Sequence, residues 1–456
     1  MYERKKGMSA VNLAMMALGT VVGGSFFLGS GVAIQAAGPA ILISYILGGI
    51  FVFIILFTLS EMTVADPAPG SFYTFAKRAY GPCAGFVVGW VYWTGIVLAM
   101  SSEAIALSIL IRNWLPHISL FVMGLFIIVM TTVLNLLGAD KLSKMESGLS
   151  FIKIFAVAGF IVLGAMIIFG ILPGVPPVGL GALKTEALFP SGVGGIAGSM
   201  LIVMFAYSGF EIIGLAASET ANPHKTVPKA IRYTVFGLLG LYIATILVLL
   251  PLIPTNKLSG DQSPLVLALS EQNILWAGSL INFVLTTAIF STMLASMFGL
   301  GRTIRSLAEE GNAPSWLMDH HNIPFKGILF SGAAMLVGLC FGFLLPKQVY
   351  VFLVSSGGFS LLFTYLAIVL SHYKFRKKKG CPPAGNCQLP WFPFTSWFAI
   401  IGIVAIIASM PLIKGQQYGL FAGSLFVALY VAIYQIKKRR NKKRLAVRPY
   451  QAGKMF

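Results

Sequence analysis

The sequence Gly19-Thr20-Val21-Val22-Gly23-Gly24-Ser25 interrupts a hydrophobic run that extends from Val11 to Ile34. Glycine tolerates backbone angles that a helix excludes, and the Thr and Ser hydroxyls can replace lost backbone hydrogen bonds. An unpaired peptide group in hydrocarbon costs several kcal/mol, so a helix that breaks inside a membrane must line a cavity where other groups bind the freed N–H and C=O groups. The stretch therefore predicts a membrane-spanning helix that is unwound at a ligand site.

A second hydrophobic run, from Val193 to Ala217, is interrupted by Tyr207-Ser208-Gly209-Phe210-Glu211. Paired interruptions in the two halves of a membrane protein are the sequence feature that best indicates the substrate site of a transporter. The two stretches together predict one site between two unwound helices, near the middle of the bilayer.

The chemistry of the two breaks predicts the class of ligand. A helix that restarts near Ser25 presents free N–H groups and the positive end of its dipole, which form a receptor for a carboxylate. Unwound carbonyls in the second break are acceptors for an ammonium group. A zwitterion with its charges close together, such as an amino acid, fits both. The residues assigned to the site are Gly23, Gly24 and Ser25 in the first break and Phe205, Ala206 and Ser208 in the second.

The composition indicates that lipid surrounds the chain. Of its 456 residues, 57% are hydrophobic and 10% are charged, whereas a soluble domain carries about 25% charged residues. Apolar segments of roughly 20 residues, the length that crosses a bilayer, recur along nearly the whole chain. We predict an all-α polytopic membrane protein with about twelve transmembrane helices, at 10–34, 38–61, 84–110, 119–139, 148–171, 194–218, 228–253, 275–300, 326–345, 347–371, 394–413 and 416–436.

The distribution of basic residues predicts the orientation. The formal net charge is +19, and 27 of the 33 Lys and Arg residues fall in the terminal segments and in the loops predicted on their side. Because positive loops face the cytoplasm, both termini are predicted to be cytoplasmic, in a multi-pass protein of the cell membrane. The tail begins with Lys437-Lys438-Arg439-Arg440. Next to a final span, such a cluster favours anionic lipids as partners over nucleic acid.

Lys153 lies within the predicted fifth span, between Ile152 and Ile154. A lysine there must extend to the membrane surface, pair with an acid or lose its proton, because burial disfavours the ammonium form. The first alternative stays open, since Lys153 is only about one to two turns from the cytoplasmic end. The functional hypothesis is that its ammonium fills a cation site between spans one and eight and leaves it when neutral. Transport would then couple to protons without sodium.

Three acidic residues are candidate proton carriers or gates, because an ionisable residue within a span is a functional candidate by default. Glu103, in the third span, faces either the pocket or Lys153. Glu211 lies beside the second break, where it braces the unwound backbone or carries a proton. Glu219 ends the sixth span, and an ion pair with a nearby basic residue is the alternative to a gating role.

The four cysteines and five histidines indicate neither a disulfide framework nor a catalytic site. Cys381 and Cys387 lie in a loop that is predicted to be cytoplasmic and therefore reducing. A metal site there would need two more ligands, and the nearest histidine, His372, ends a span. We therefore expect no metal and no cofactor. Because the inner loops lack clustered His and Asp, we also expect no enzymatic activity.

Four segments carry a family resemblance. They are Gly19 to Gly31, Pro69 to Ala76, Phe205 to Glu211 together with Glu219 to Ile231, and Gly301 to Pro314. Each segment alone is a weak pattern, but their order along the chain makes coincidence implausible. The chain resembles the amino acid–polyamine–organocation superfamily of permeases, and within it the bacterial amino acid transporter group, from about residue 7 to residue 440.

The resemblance implies the leucine-transporter fold, in which two inverted repeats of five spans precede two peripheral spans. It divides the chain into a cytoplasmic N-terminus (1–9), a first repeat (10–171), a second repeat (194–373), the peripheral spans (394–436) and a basic cytoplasmic tail (437–456). The two interrupted spans then occupy equivalent positions in the two repeats.

The resemblance also implies roles at matching positions. The substrate carboxylate would meet the N–H groups of Gly23, Gly24 and Ser25, and its amine would meet carbonyls of Val21, Phe205 and Ser208. The Phe205 ring falls where related permeases place an aromatic gate. Ser291 and Thr292 match the hydroxyl pair of a sodium site in sodium-coupled relatives, and Lys153 matches the lysine that replaces the ion in proton-coupled ones. Ser25 is a departure, since many relatives have glycine there.

Together these features predict a secondary active transporter that imports an amino acid by proton symport. An exchanger stays open, because antiport and symport use the same site and differ in which empty state reorients. A non-transporting amino acid sensor on the same fold is the other alternative. Glu103 and Glu211 would favour cationic substrates such as lysine or arginine if they face the substrate. If they pair internally, the pocket is mostly apolar and a neutral amino acid is expected, which is the substrate that we favour.

Overall fold

A computed structural model describes residues 9–65, 71–211, 213–214, 220, 222–260, 262–319, 323–344, 349–381, 388–413 and 415–447, and of residues 139–148, 150, 223, 344, 349 and 441–447 it describes the backbone only. Within these ranges the chain folds into α-helices and short 3₁₀ turns, without a strand. Nine helical segments of the described chain are long and apolar enough to cross a membrane, and three shorter apolar helices accompany them. The predicted all-α polytopic fold is confirmed.

The helices are numbered in chain order. They are α1 (Ala10–Val21), α2 (Gly24–Phe27), α3 (Gly29–Ala37), α4 (Ile41–Ala65), α5 (Ser71–Tyr80), α6 (Pro82–Ile111), α7 (Leu120–Asn135), α8 (Ala139–Ile168), α9 (Gly192–Ala206), α10 (Pro223–Leu252), α11 (Pro264–Glu271), α12 (Leu275–Glu309), α13 (Phe325–Leu344), α14 (Val349–Lys379), α15 (Phe394–Ser409) and α16 (Gln417–Val447). The 25 residues of α4 extend over about 37 Å, which exceeds the hydrocarbon thickness of roughly 30 Å.

Two helices end at residues that differ from the ends of the predicted spans, because the local sequence there continues or stops the helix. Helix α16 continues to Val447, through the basic run, because Lys and Arg are good helix formers. Helix α9 ends at Ala206, well before the predicted end of its span, because the second break stops it.

The centre of the bundle is formed by α6 and α14, which pack along each other, and α14 also packs against α4, α5 and α9. Small residues permit this approach, since a Cβ atom added at Gly95 of α6 would lie 2.8 Å from Cβ of Ser360 in α14. The outer helices α7, α15 and α16 expose apolar side chains such as Phe126, Ile401 and Phe421. Such a surface is stable in lipid rather than in water.

The short helix α5 joins two of the segments that carry the family resemblance. Thr74 and Lys77 of α5 bond the carboxylate of Glu310, at 3.0 and 3.1 Å. The hydroxyl of Tyr73 donates to that of Ser306 in α12. These contacts fix α5 against the C-terminal end of α12.

A buried ionic cluster connects α4 to α14 and to the segment that precedes α15. The Glu61 carboxylate accepts hydrogen bonds from the backbone N–H groups of Gln388 and Leu389, at 2.6 and 2.7 Å, and lies 2.6 Å from Nε2 of His372. Arg376 places Nη1 3.5 Å from the same carboxylate. Because the side chains of Glu61 and His372 are fully buried, their interaction is screened less than that of a surface pair.

Replacing Glu61 by Ala is expected to lower the free energy of unfolding by about 3 kcal/mol or more, because it leaves His372 and two backbone N–H groups buried without their acceptor. Thermal unfolding of the purified protein in detergent measures the change. Thr63→Val is the matched control, since the Thr63 hydroxyl donates to the carbonyl of Leu59 in its own helix. Equal melting temperatures for both variants would show that the cluster does not stabilise the fold.

The cysteines differ from expectation at one position. Cys83 and Cys340 are free thiols within α6 and α13. Cys381 is disulfide-bonded, so the expectation of a reduced thiol there is wrong for this structure; Cys387 lies outside the described residues. A count of charges places a loop on one side of a membrane, but it carries no information on which sulfur atoms lie close together.

Candidate functional site

The first break separates α1 from α2. Helix α1 ends at Val21, Val22 and Gly23 have extended backbone angles, and α2 begins at Gly24. The carbonyl of Gly23 accepts bonds from the N–H groups of Phe26 and Phe27, at 3.1 and 3.0 Å. The N–H groups of Gly24 and Ser25 have no partner within this short helix and point towards α6.

The second break follows Ala206, where α9 ends and residues 207–211 form turns. Gly209 has a φ angle of +104°, a conformation that residues with a side chain rarely adopt. A Cβ atom added at Gly209 would lie 3.1 Å from the carbonyl oxygen of Thr20, and the Thr20 hydroxyl lies 3.3 Å from the carbonyl oxygen of Gly209. The two breaks are therefore in direct contact.

Glu103 occupies the N–H groups of the first break. Its Oε2 accepts a bond of 2.7 Å from the N–H of Gly24, and its Oε1 accepts a bond of 2.8 Å from the N–H of Ser25. The side chain comes from α6 and is buried. The structure places the Glu103 carboxylate on the pair of N–H groups predicted to bind a carboxylate, where it also interacts electrostatically with Lys153.

Lys153 reaches the first break from the other side. Its side chain is only 1% exposed, so it does not extend to the membrane surface. Its ammonium donates to the carbonyl of Gly19 and, at 3.2 Å, to the hydroxyl of Thr292 in α12. The Thr292 hydroxyl in turn lies 3.4 Å from the carbonyl of Val22. The buried hydroxyl of Ser291 has no hydrogen-bond partner among the described residues.

Two of the carbonyls assigned to the substrate amine already accept hydrogen bonds from the protein. The carbonyl of Phe205 accepts from the N–H and the hydroxyl of Ser208, at 3.0 and 2.7 Å. The carbonyl of Ala206 accepts from the hydroxyl of Tyr242, at 2.9 Å, and the Tyr242 ring stacks on Phe26 with a centroid distance of 4.0 Å. The Phe205 ring lies 3.5 Å from the Cβ position of Gly357, between α6 and α14.

Glu211 lines a cavity next to both breaks. Its carboxylate accepts bonds from the hydroxyls of Tyr92 and Tyr365, at 3.2 and 3.3 Å, and from the N–H of Gly209, at 3.1 Å. The cavity measures about 60 Å³. Its lining residues are Thr20, Tyr92, Ile96, Gly209, Glu211, Ala295, Ser296, Gly299, Leu300 and Thr303.

The opposite side of the breaks is covered by α11 and α14. A Cβ atom at Gly31 would lie 2.6 Å from the carbonyl of Ser259 and 3.1 Å from the Pro264 ring. The Tyr350 hydroxyl lies 3.5 Å from the carbonyl of Gly24. Among the described residues, these contacts cover the breaks on this side, whereas the cavity is lined by Thr20 of α1 and by residues 295–303 of α12.

Sequence reasoning missed the tyrosines that hold the site together. Tyr92, Tyr242 and Tyr365 each bond a group of the second break, yet nothing in the sequence distinguishes them from other aromatic residues of an apolar span. Glu219, a predicted gate, lies outside the described residues. No group of metal-ligating side chains that could hold an ion occurs within the part of the chain that the structure describes.

The structure is that of a polytopic membrane protein in which two interrupted spans touch at their breaks, an arrangement typical of transporters. The chain matches the amino acid permease family over residues 12–447. It is 32% identical to the gamma-aminobutyric acid permease of Bacillus subtilis strain 168 over 451 residues, which cover 98% of this chain and 96% of that protein. It is 30% identical to the aromatic amino acid transport protein AroP of Escherichia coli O6:H1, with coverage of 96% and 97%, and 31% identical to a probable GABA permease of Pseudomonas aeruginosa, with coverage of 96% and 93%.

The chain belongs to the amino acid permease family. It is therefore a multi-pass membrane permease for amino acids, and the predicted membership of the superfamily is confirmed. The relatives are named permeases or transporters, which also confirms that the chain is not an enzyme.

Proposed function

We propose that this permease imports an amino acid into the cell together with a proton. The observation that carries the proposal is the position of the Lys153 ammonium, between the Gly19 carbonyl and the Thr292 hydroxyl. A charge held there biases the conformation of the unwound segment, and loss of its proton removes that bias. The ammonium occupies the space that a sodium ion would need between α1 and α12, so the proton is the coupling ion in this proposal.

The N–H groups of Gly24 and Ser25 are proposed to bind the substrate carboxylate. The support is chemical, because this pair of N–H groups holds the Glu103 carboxylate in two bonds of 2.7 and 2.8 Å. Such short, charge-assisted bonds are the strong ones in proteins. Gly23 provides the extended turn that exposes both donors, and the Ser25 hydroxyl is adjacent to them.

The substrate ammonium is proposed to lie at the carbonyls of Val21, Ala206 and Ser208. A carbonyl oxygen has two lone pairs, so Ala206, with its one bond from Tyr242, can accept a second. Phe205 already accepts two bonds through its carbonyl, and its proposed contribution is the ring, which covers the substrate on the side of Gly357.

The substrate is proposed to carry no net charge. The Glu103 and Glu211 carboxylates are each taken up by donors of the protein, two N–H groups in one case and two tyrosines with the Gly209 N–H in the other. Neither carboxylate is therefore available to pair with a cationic side chain of the substrate. The substrates in the names of the relatives, γ-aminobutyric acid and aromatic amino acids, are themselves neutral zwitterions.

The orientation is proposed from the charges. Both termini face the cytoplasm, since the basic loops lie on their side, and the basic tail at 437–456 contacts anionic lipids. The cavity lined by Glu211 is proposed as a path towards the cytoplasm. The two interrupted spans are proposed to be equivalent members of inverted repeats at 10–171 and 194–373, so that rocking of one group of helices exposes the breaks to each side in turn.

Uptake into proteoliposomes tests this function. A thermal-shift screen of the twenty standard L-amino acids and γ-aminobutyrate first identifies the ligands, because a ligand that binds only the folded state raises the melting temperature. For the ligand that stabilises most, we expect accumulation when the lumen is alkaline and sodium is absent. Binding without accumulation would indicate a sensor. Uptake that requires amino acid in the lumen would indicate an exchanger.

A further inference from the structure

Glu103 presents a carboxylate at the position that the substrate's own carboxylate is proposed to take. Its two oxygens span the N–H groups of Gly24 and Ser25, and the side chain is 3% exposed. Each N–H group has one hydrogen to donate. Glu103 therefore uses the donors that the proposed function assigns to a ligand.

Two carboxylates cannot share this pair of donors. A Cβ atom added at Gly24 would already lie 2.5 Å from Oε2 of Glu103, 3.0 Å from Ile289 and 3.1 Å from Ala106, so the space in front of the N–H groups is filled. Two negative charges a few Å apart in a buried site also repel each other strongly. A substrate carboxylate can bind there only when Glu103 leaves or loses its charge.

We propose that Glu103 is a tethered competitor of the substrate carboxylate, which fills the N–H groups in the absence of substrate and yields them when it is protonated. This inference rests on the proposed function, since it concerns the same site. It makes Glu103 a specificity-determining residue. A ligand can bind the two N–H groups only if its own carboxylate replaces that of Glu103.

The groups around Glu103 set the conditions for its release. The ionisable side chains that interact electrostatically with it are Lys153 of α8, Tyr242 of α10 and Tyr350 of α14. The apolar side chains of Ile289 in α12 and Ala106 in α6 also lie next to Gly24. A protonated carboxyl group gives up the charge-assisted part of its bonds to the two N–H groups. Substrate binding is therefore expected to strengthen as the pH falls.

Glu103→Gln tests the competition, because the amide carries no charge and has one acceptor oxygen, whereas the carboxylate uses one oxygen for each N–H group. The probes are the twenty standard L-amino acids and γ-aminobutyrate, and the readout is the Kd at pH 7.5 by isothermal titration. We expect the variant to bind the best wild-type ligand about tenfold more tightly, about 1.4 kcal/mol. In the wild type, Kd should fall between pH 8 and pH 5.5, whereas in the variant it should stay constant. Ser102→Ala is the control, since that hydroxyl donates to the carbonyl of Ala99 in its own helix, and its Kd should match the wild type.

A second variant, Glu103→Ala, tests the competition without introducing an amide group. In Glu103→Ala the N–H groups are free, so acetate at millimolar concentration should compete with the amino acid more strongly than in the wild type, where acetate must first displace Glu103. Weaker binding in both variants, with a wild-type Kd that does not depend on pH, would overturn the competition while leaving the proposed function standing. If none of the probes binds the wild type, the proposed function itself fails.

Discussion

Replacing Lys153 by Gln or Ala is expected to abolish accumulation driven by a pH gradient while binding is retained. One pH unit supplies about 1.4 kcal/mol per proton, so a symporter with one proton per substrate accumulates its substrate up to about tenfold. Without the ammonium between Gly19 and Thr292, proton movement no longer biases the unwound segment. The internal to external ratio should then fall to about one. Counterflow exchange, which needs no net coupling, should persist.

The control for this experiment is Lys326→Gln, which removes a lysine at the start of α13 whose ammonium contacts the carbonyl of Met318. That variant should accumulate substrate like the wild type. Full accumulation by both Lys153 variants, in the absence of sodium, would remove the coupling role from Lys153. Loss of binding in both would show that Lys153 holds the break in shape rather than coupling it to protons.

Gly24→Val is expected to abolish substrate binding, with a loss of at least a hundredfold, about 2.7 kcal/mol. A Cβ atom there meets Glu103, Ile289 and Ala106 at 2.5 to 3.1 Å, and the two additional methyl groups of valine would cover the N–H groups. The Kd of the best ligand, by isothermal titration, measures the effect. Gly24→Ala should give a smaller loss.

Gly240→Val is the matched control, because a Cβ atom at this position of α10 has no neighbour within 4 Å. Its affinity should equal that of the wild type. Unchanged affinity in Gly24→Val, with a normal melting temperature, would mean that the carboxylate binds elsewhere.

The interruption of the two spans could be predicted from sequence because it depends on local chemistry. Glycines at 19, 23 and 24 and at 209 weaken a helix wherever they occur, and the hydrophobic flanks place that weakness in the membrane. The assignment of Lys153 to a position between spans one and eight rests on the family resemblance and on the apolar segment around it. Its partners, Gly19 and Thr292, agree with that position.

The partners of the buried acids could not be predicted, because they depend on distances between helices that are remote in sequence. Glu103 bonds residues 78 and 79 positions away, and the sequence left two positions open for it. Glu61 and His372 are 311 residues apart, and neither forms part of a recognisable motif. The tyrosines on Glu211 were missed for the same reason, since their hydroxyls gain a role only through the packing of α6 and α14.

A cryo-EM structure with the best ligand of the thermal-shift screen would show whether two interrupted spans hold a zwitterion through their backbone groups. We expect carboxylate oxygens of the ligand within about 3 Å of the nitrogens of Gly24 and Ser25, with the Glu103 side chain displaced from them. A ligand bound elsewhere, with Glu103 still on both N–H groups, would contradict it.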